Sequence, residues 1–406
     1  MSTSATAALP MRNAAWLHIF AGLCASLVSI GLARFAYTPL IPQLIQAHWF
    51  AQADVVYLGA ANLAGYLVGA LVGHPLGKRV GNPLVLRLML VVATLSFFAC
   101  AWPLSFTWFF VWRLLSGIAG GAIMVLVAST VLPHVPAARR GLASGAIFLG
   151  IGLGIAGSGT LVPALLGWGL RDTWIGLGLV AALLTAASWF GWPPASAHAQ
   201  PATQKAAADN EDGQANGGLR LLFAQYALMA TGLVPAMVFL VDFVARGLGA
   251  GTHIAALVWV MYGVGAILGP MVYGMLADRL GARRSIRWVL VVQALAVAGL
   301  SVAQQPLLLC ALALLIGSFP PGIVPLALAR VHELKKQPHA QQVAWSRATV
   351  AFASFQALAG IIYSMIFNAS GGHYQTLFMV ASGALLLAIA LDFISPAMAR
   401  LQAAKR

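Results

Sequence analysis

Long apolar stretches, broken at short polar intervals, dominate this chain from about residue 14 onward. A helix rises about 1.5 Å per residue, so crossing about 30 Å of hydrocarbon takes roughly 20 apolar residues. Stretches of that length predict membrane spans at 14–38, 54–73, 84–102, 107–131, 141–163 and 170–192. A second set is expected at 220–245, 253–275, 285–304, 306–331, 343–368 and 372–394. Between the sets, 193–219 has no apolar run and is rich in Ala, Gln, Asn and Gly, with Lys205, Asp209, Glu211 and Asp212. Such a composition reads as a flexible cytoplasmic linker. The expected fold is an all-α integral membrane protein of twelve transmembrane helices in two pseudo-symmetric six-helix bundles, 1–192 and 220–406.

The two sets echo each other. Gly31-Leu32, Gly73, Gly121 and Gly159 recur 201 residues later as Gly232-Leu233, Gly274, Gly322 and Gly360. That common shift suggests one six-helix unit used twice in parallel, a relation found in one large class of secondary transporters.

Composition sharpens the picture. Of the 406 residues 61% are apolar and 8% charged, against about 25% charge in a typical soluble domain. The formal charge of +14 would suit a nucleic-acid binder only if it formed an exposed basic face, whereas here Lys and Arg fall in short clusters between spans. With both termini inside, 19 of the 23 Lys and Arg lie on the cytoplasmic side, all but Arg34, Arg113, Arg171 and Arg246. This distribution satisfies the positive-inside rule and supports the count of twelve, since a missed span would invert the second half. The resulting expectation is a multi-pass plasma membrane protein, in a bacterial inner membrane, with cytoplasmic termini. The polar start of the chain followed by Arg12 partly resembles a signal peptide, but the many later spans favour a retained first helix. Cys24, Cys100 and Cys310 lie inside apolar runs without a CxxC pair, so a metal site or disulfide framework is not indicated.

Charges inside spans are the candidate chemistry, because an ionisable group there is costly unless paired or hydrated. Arg34, in Gly31-Leu32-Ala33-Arg34-Phe35-Ala36-Tyr37-Thr38-Pro39, is expected in the outer part of the first span. Three readings stay open: an anion-holding group facing a central cavity, an arginine snorkelling to the headgroups, or a structural pair with Asp242. Tyr37, three residues on, is the expected ring neighbour of Arg34. Pro39 and Pro42 either loosen the helix or mark its end. Arg113 starts a glycine-rich run and is expected either to orient a polar network or to snorkel. Asp242 is a candidate for proton coupling or a structural pair. Asn62 and Tyr66, four apart, share a helix face, and Gln225, Tyr226, Tyr262 and Gln356 are further polar candidates. Gly150, Gly152, Gly154, Gly157 and Gly159 predict a close helix–helix seam. Asp54 and Asp172 read as helix starts, and His18 and His332 as lone histidines near inner ends.

These motifs resemble the major facilitator superfamily. Gly274-x-x-x-Asp278-Arg279-x-Gly281-x-Arg283-Arg284 is similar to its signature loop, whose acid and arginines latch the bundles in the outward-open state. The first-half counterpart, Gly73 to Gly81, lacks the acid. Arg113-x-x-x-Gly117 resembles a motif linked to proton coupling, and the glycine-rich fifth span loosely resembles an exporter motif without its Gly-Pro pair. Arg34 within its segment is most like the YbfB/YjiJ-type branch. The resemblance implies secondary active transport of a small organic solute by alternating access with protons as a coupling ion, and the arginines inside the spans make an organic anion the leading solute type. Efflux of amphiphilic or drug-like compounds is the alternative. A non-transporting receptor or scaffold is the different-class alternative. An enzyme is not expected, as no nucleophile–base pair, metal cluster or cofactor motif is present. Expected partners are the solute, membrane lipids and protons, with no nucleic acid and no cofactor, in a functional monomer.

Overall fold

A computed structural model describes residues 8–136, 139–194 and 213–404. The first half comprises α1 (Ala8–Ser26), α2 (Tyr37–Gln46), α3 (Gln52–Val80), α4 (Asn82–Cys100), α5 (Phe106–Val131), α6 (Arg140–Leu166) and α7 (Leu170–Ser188). The second comprises α8 (Gly213–Asp242), α9 (Gly251–Leu280), α10 (Ala282–Leu300), α11 (Pro306–Leu334), α12 (Pro338–Ala369) and α13 (Tyr374–Ala404). The helix α1 starts and α13 finishes at the same end of the bundle, called proximal below; the opposite end is distal.

Eleven helical stretches among the described residues are long and apolar enough to cross a membrane. The helix α10 is the expected span outside that set. Arg283, Arg284 and Arg287 crowd its proximal third, which leaves a short apolar remainder. The expected linker falls largely on 195–212, outside the described residues, and its last seven positions already belong to α8.

The first span differs from the expected continuous helix ending at 38. It runs from Ala15 to Gln46 and is broken in the middle. A π-helical turn occupies Leu27–Leu32, with the N–H of Ala33 bonded to the carbonyl of Val28 at 2.9 Å, and α2 restarts the helix at Tyr37. Pro39 does not stop the helix, because in the first turn of α2 its missing N–H has no intrahelical partner to lose. Pro42 sits inside α2, in a helix that is fully buried over most of its length.

The internal repeat is visible in the helix bounds. Asn82–Cys100 and Ala282–Leu300 occupy identical positions at a shift of 200 residues. Contacts obey the same shift. A Cβ placed on Gly117 would lie 2.1 Å from the Asn62 carbonyl, and one on Gly317 would lie 2.0 Å from the Tyr262 carbonyl. In these helices the shift is therefore 200 rather than the expected 201. Single-glycine matches in glycine-rich helices tolerate a one-residue slip, whereas backbone-to-backbone contacts do not.

The halves meet distally. Thr38 Oγ1 donates to the Met237 carbonyl at 2.8 Å, Trp259 Nε1 to Ser158 Oγ at 3.0 Å, and Ser364 Oγ approaches the Val56 carbonyl at 3.3 Å. The glycines of α6 form the expected seam on two faces. Gly150 and Gly154 press against α1 and the π turn, while Gly152 and Gly159 press against Ile267 and Val260 of the other half. Gly157 faces open space and takes no part. Among the described residues, every hydrogen bond between the halves lies in the distal two-thirds of the bundle.

Candidate solute-binding site

Arg34 lies in the non-helical link between the π turn and α2. Because the span continues to Gln46, this position is past mid-membrane and not at the headgroups. Its Nε is buried without a hydrogen-bond partner, and Nη2 reaches Met237 Sδ of the opposite half at 3.4 Å. The guanidinium carbon lies 5.0 Å from the ring centre of Tyr66 and 5.5 Å from that of Phe35. Such a contact contributes about 2 kcal/mol when desolvated, against several kcal/mol for removing the charge from water. The rings thus offset the cost only in part and leave the donor face open to an anion.

Two of the readings for Arg34 are excluded by this geometry. It does not snorkel, and it is not paired with Asp242. Asp242 is completely buried at the distal end of α8, where Arg246 Nη2 meets its Oδ2 at 2.9 Å and Tyr374 donates to the same oxygen at 2.5 Å. The expected Arg34–Tyr37 neighbourhood is also corrected. The π turn and link rotate the chain, so the three-residue spacing of a regular helix does not apply. Tyr37 instead donates to the Val55 carbonyl at 2.8 Å and lies under Arg113, whose guanidinium carbon is 4.1 Å from its ring centre.

Arg113 is almost fully buried in α5 and is equally far from snorkelling. Its Nη1 donates to the Ala33 carbonyl at 2.7 Å, satisfying a backbone acceptor that the broken helix leaves open. Asn62 joins this network by donating to Ser116 Oγ at 2.8 Å, and Ser116 donates to the Arg113 carbonyl at 2.8 Å. The network reading of Arg113 is the one this geometry carries.

Asn62 lies ten residues into α3 and Tyr262 eleven into α9, so both sit about 15 Å below the distal end, at the level where a solute would be held. Four further groups at the centre have buried polar atoms without partners among the described residues: Asn62 Oδ1, Arg113 Nε, the Tyr262 hydroxyl and Gln356 Oε1. Tyr262 stacks on Trp259 with ring centres 4.8 Å apart, and Trp259 lies 6.2 Å from Phe35, which extends the aromatic wall beside Arg34. Buried polar groups are nearly always hydrogen-bonded, which sets these apart from the committed groups around them. Other candidates are internally committed. Gln225 donates to the Ala388 carbonyl at 3.0 Å, and Tyr226 packs against Phe352 and Trp345. His18 bonds the Gly191 carbonyl at 2.7 Å, and His332 is exposed.

The signature-loop residues also divide. Asp278 and Arg279 are exposed and have no ion pair among the described residues. Gly274 has open space around it, and Gly281 turns the chain at φ +78°. Arg283 is not free for a latch between halves: its Nε meets Asp392 Oδ1 at 2.9 Å within its own half, alongside Arg287, while Arg284 is exposed. The apolar-run reading missed this clamp, as it missed Tyr363, whose buried hydroxyl also lacks a partner, and Trp259. No local pattern distinguishes Trp259 or Tyr363 from ordinary packing aromatics.

Comparisons with known proteins agree on the architecture. A single-substitution mutant of the nucleoside transporter NupG superposes with a TM-score of 0.74 at 16% identity, over 94% of this chain and 99% of that one. A bacterial homologue of the human lysosomal transporter Spinster, inward-facing and unoccupied, gives 0.72 at 15% identity, over 95% and 97%. In sequence, the 4-hydroxybenzoate transporter PcaK of Acinetobacter baylyi is 29% identical over 164 residues. That match spans 39% of this chain and about a third (35%) of the relative's length. Residues 26–393 match the family described as "Uncharacterised MFS-type transporter YbfB". The chain accordingly belongs to the YbfB-type family of major facilitator transporters.

Proposed function

We propose that this chain carries a small organic anion across the membrane by alternating access, with Arg34 as the anion-holding group. The observation that carries this reading is the buried, partnerless Nε of Arg34, set at mid-depth among aromatic rings and beside the seam between halves. A guanidinium offers parallel N–H donors that suit a carboxylate. The aromatic wall of Phe35, Tyr66, Trp259 and Tyr262 favours a solute with a flat apolar body, and an aromatic carboxylate joins both features in one molecule. The 4-hydroxybenzoate named for the partial relative has that form. The unpartnered Tyr262 hydroxyl and Gln356 carbonyl oxygen supply polar contacts for its far side.

The contacts that close the distal end and the unpaired Asp278 fit a transporter resting open toward its proximal end. The clustering of Lys and Arg at that end supports a cytoplasmic proximal face, and a bacterial inner membrane is the proposed location. Proton coupling rests on Asp242, the buried acid nearest the distal mouth, and its exchange between Arg246 and a proton is the proposed step. The test is counterflow in proteoliposomes with benzoate-type and aliphatic carboxylates. Saturable exchange that is lost in Arg34→Ala, and pH-gradient-driven uptake that is lost in Asp242→Asn, are expected. Wild-type exchange in Arg34→Ala would remove the anion assignment, and flux indifferent to uncouplers would remove the proton.

A further inference from the structure

The two halves handle one arginine differently. Arg87 in α4 and Arg287 in α10 are equivalent at the 200-residue shift, six positions into helices with matching bounds. Each lies against an aromatic ring, Trp189 just past the end of α7 and Phe393 within α13. The guanidinium carbon of Arg87 is 5.6 Å from the ring centre of Trp189, and that of Arg287 is 4.7 Å from the ring centre of Phe393. In the second half the residue before the ring is Asp392, which is buried and binds Arg287 through Oδ2. In the first half the residue before the ring is Ser188, whose hydroxyl is turned to the Thr185 carbonyl at 2.9 Å. Arg87 therefore keeps the aromatic contact but has no carboxylate. Its Nε donates to the Trp189 carbonyl at 3.1 Å, and its two terminal nitrogens have no hydrogen bond among the described residues.

One helical turn beyond Arg87, toward mid-membrane, α4 and α7 border a groove of about 340 Å³, which Trp189, the ring under Arg87, also lines. Val91, Leu95, Ala186 and Phe190 line it, and Thr94 and Thr185 bond each other across its floor at 3.1 Å. Leu95 and Phe190 are 48% and 83% exposed, so the groove opens sideways to the surroundings of the bundle. Arg87 is only about 8 Å along α4 from its proximal start, the depth of a headgroup boundary.

We propose that this groove is a binding site for an anionic phospholipid, with the phosphate on the terminal nitrogens of Arg87 and an acyl chain along the groove. The phosphate takes the place that Asp392 fills in the second half. Two planar N–H donors fit phosphate oxygens, and the apolar lining gains by covering with hydrocarbon. A free phosphate would satisfy the arginine alone and leave the groove without an occupant.

The test is native mass spectrometry of the purified full-length chain, titrated with phosphatidylglycerol and with phosphatidylcholine. Preferential retention of phosphatidylglycerol is expected for the wild type. Arg87→Gln should weaken that retention roughly tenfold. Ser188→Asp should weaken it similarly by supplying the internal carboxylate, and Ala186→Phe should weaken it by filling the groove. Arg139→Gln, an exposed proximal charge, should leave it unchanged. Equal phosphatidylglycerol retention by the wild type and Arg87→Gln overturns the proposal, even if Ser188→Asp fails to fold. Competition by glycerol phosphate as strong as that by intact lipid, with Ala186→Phe without effect, overturns the lipid assignment in favour of a bare anion site.

Discussion

At the level of single residues, the contrast is between charges that are internally answered and charges that are not. Asp242 and Arg246 are answered, so their loss should appear as lost stability. Removing one partner of a buried pair leaves the other uncompensated, typically at about 3–5 kcal/mol. Asp242 is the more deeply buried partner, at 1% side-chain exposure against 21% for Arg246. Thermal unfolding in detergent should therefore show Arg246→Ala more damaging than Asp242→Ala, with Asp242→Ala near the lower end of that range or below it because Arg246 can reach water. Arg34 is not answered, so Arg34→Lys should leave the unfolding temperature close to wild type. Its cost should fall on solute affinity, about tenfold to a hundredfold for a lost charge-assisted bond pair, measured by solute-induced thermal shift. The arginines themselves were legible in the sequence, because charge inside an apolar run stands out. Their partners were not. Met237, Trp259 and Tyr374 come from distant segments, and no spacing along the chain announces them.

At the level of helices, the lengths of the apolar runs located the eleven stretches long and apolar enough to cross a membrane, and also α10, which the arginines at its start keep out of that set. The π turn at Leu27–Leu32 was not legible. One extra residue in a turn leaves the composition of the helix unchanged, and the prolines that follow look like a stop signal when only the chain is read. The glycines were legible as a class but not one by one. Their contacts make a graded prediction. A Cβ on Gly117 or Gly317 would lie within about 2 Å of a backbone carbonyl oxygen of the neighbouring helix, whereas one on Gly157 meets nothing within 4 Å. Gly117→Ala and Gly317→Ala should therefore both give poorly folded protein with similar losses, and Gly157→Ala should be neutral or slightly stabilising through helix propensity. Fluorescence-detected size-exclusion of the three variants separates these outcomes. Equal damage in the two repeat-related variants would also test the 200-residue shift by a route separate from the helix bounds.

At the level of the whole molecule, exposed Asp278 has no ion pair among the described residues in this arrangement, yet it belongs to a loop whose resemblance implies a latch in the opposite one. A group that is paired in one state only biases the equilibrium between states by the energy of that pair. Asp278→Asn should consequently leave the unfolding temperature unchanged and slow transport. Spin labels at exposed Val80 and Leu280 should show, by double electron–electron resonance, a smaller population of the short proximal distance than in the otherwise wild-type protein. An unchanged distribution would mean that the loop plays no part in the balance. The turns at Gly81 and Gly281 carry one more consequence. Each joins two long helices through a single residue, at φ +90° and +78°, where a side chain would be strained. A joint so short has almost no slack to absorb bending, so α3 with α4, and α9 with α10, behave as stiff levers. Displacement of one helix at the proximal face is then delivered to its partner nearly undiminished, and lengthening either joint by two or three flexible residues should let the two helices of the pair move separately while leaving each intact.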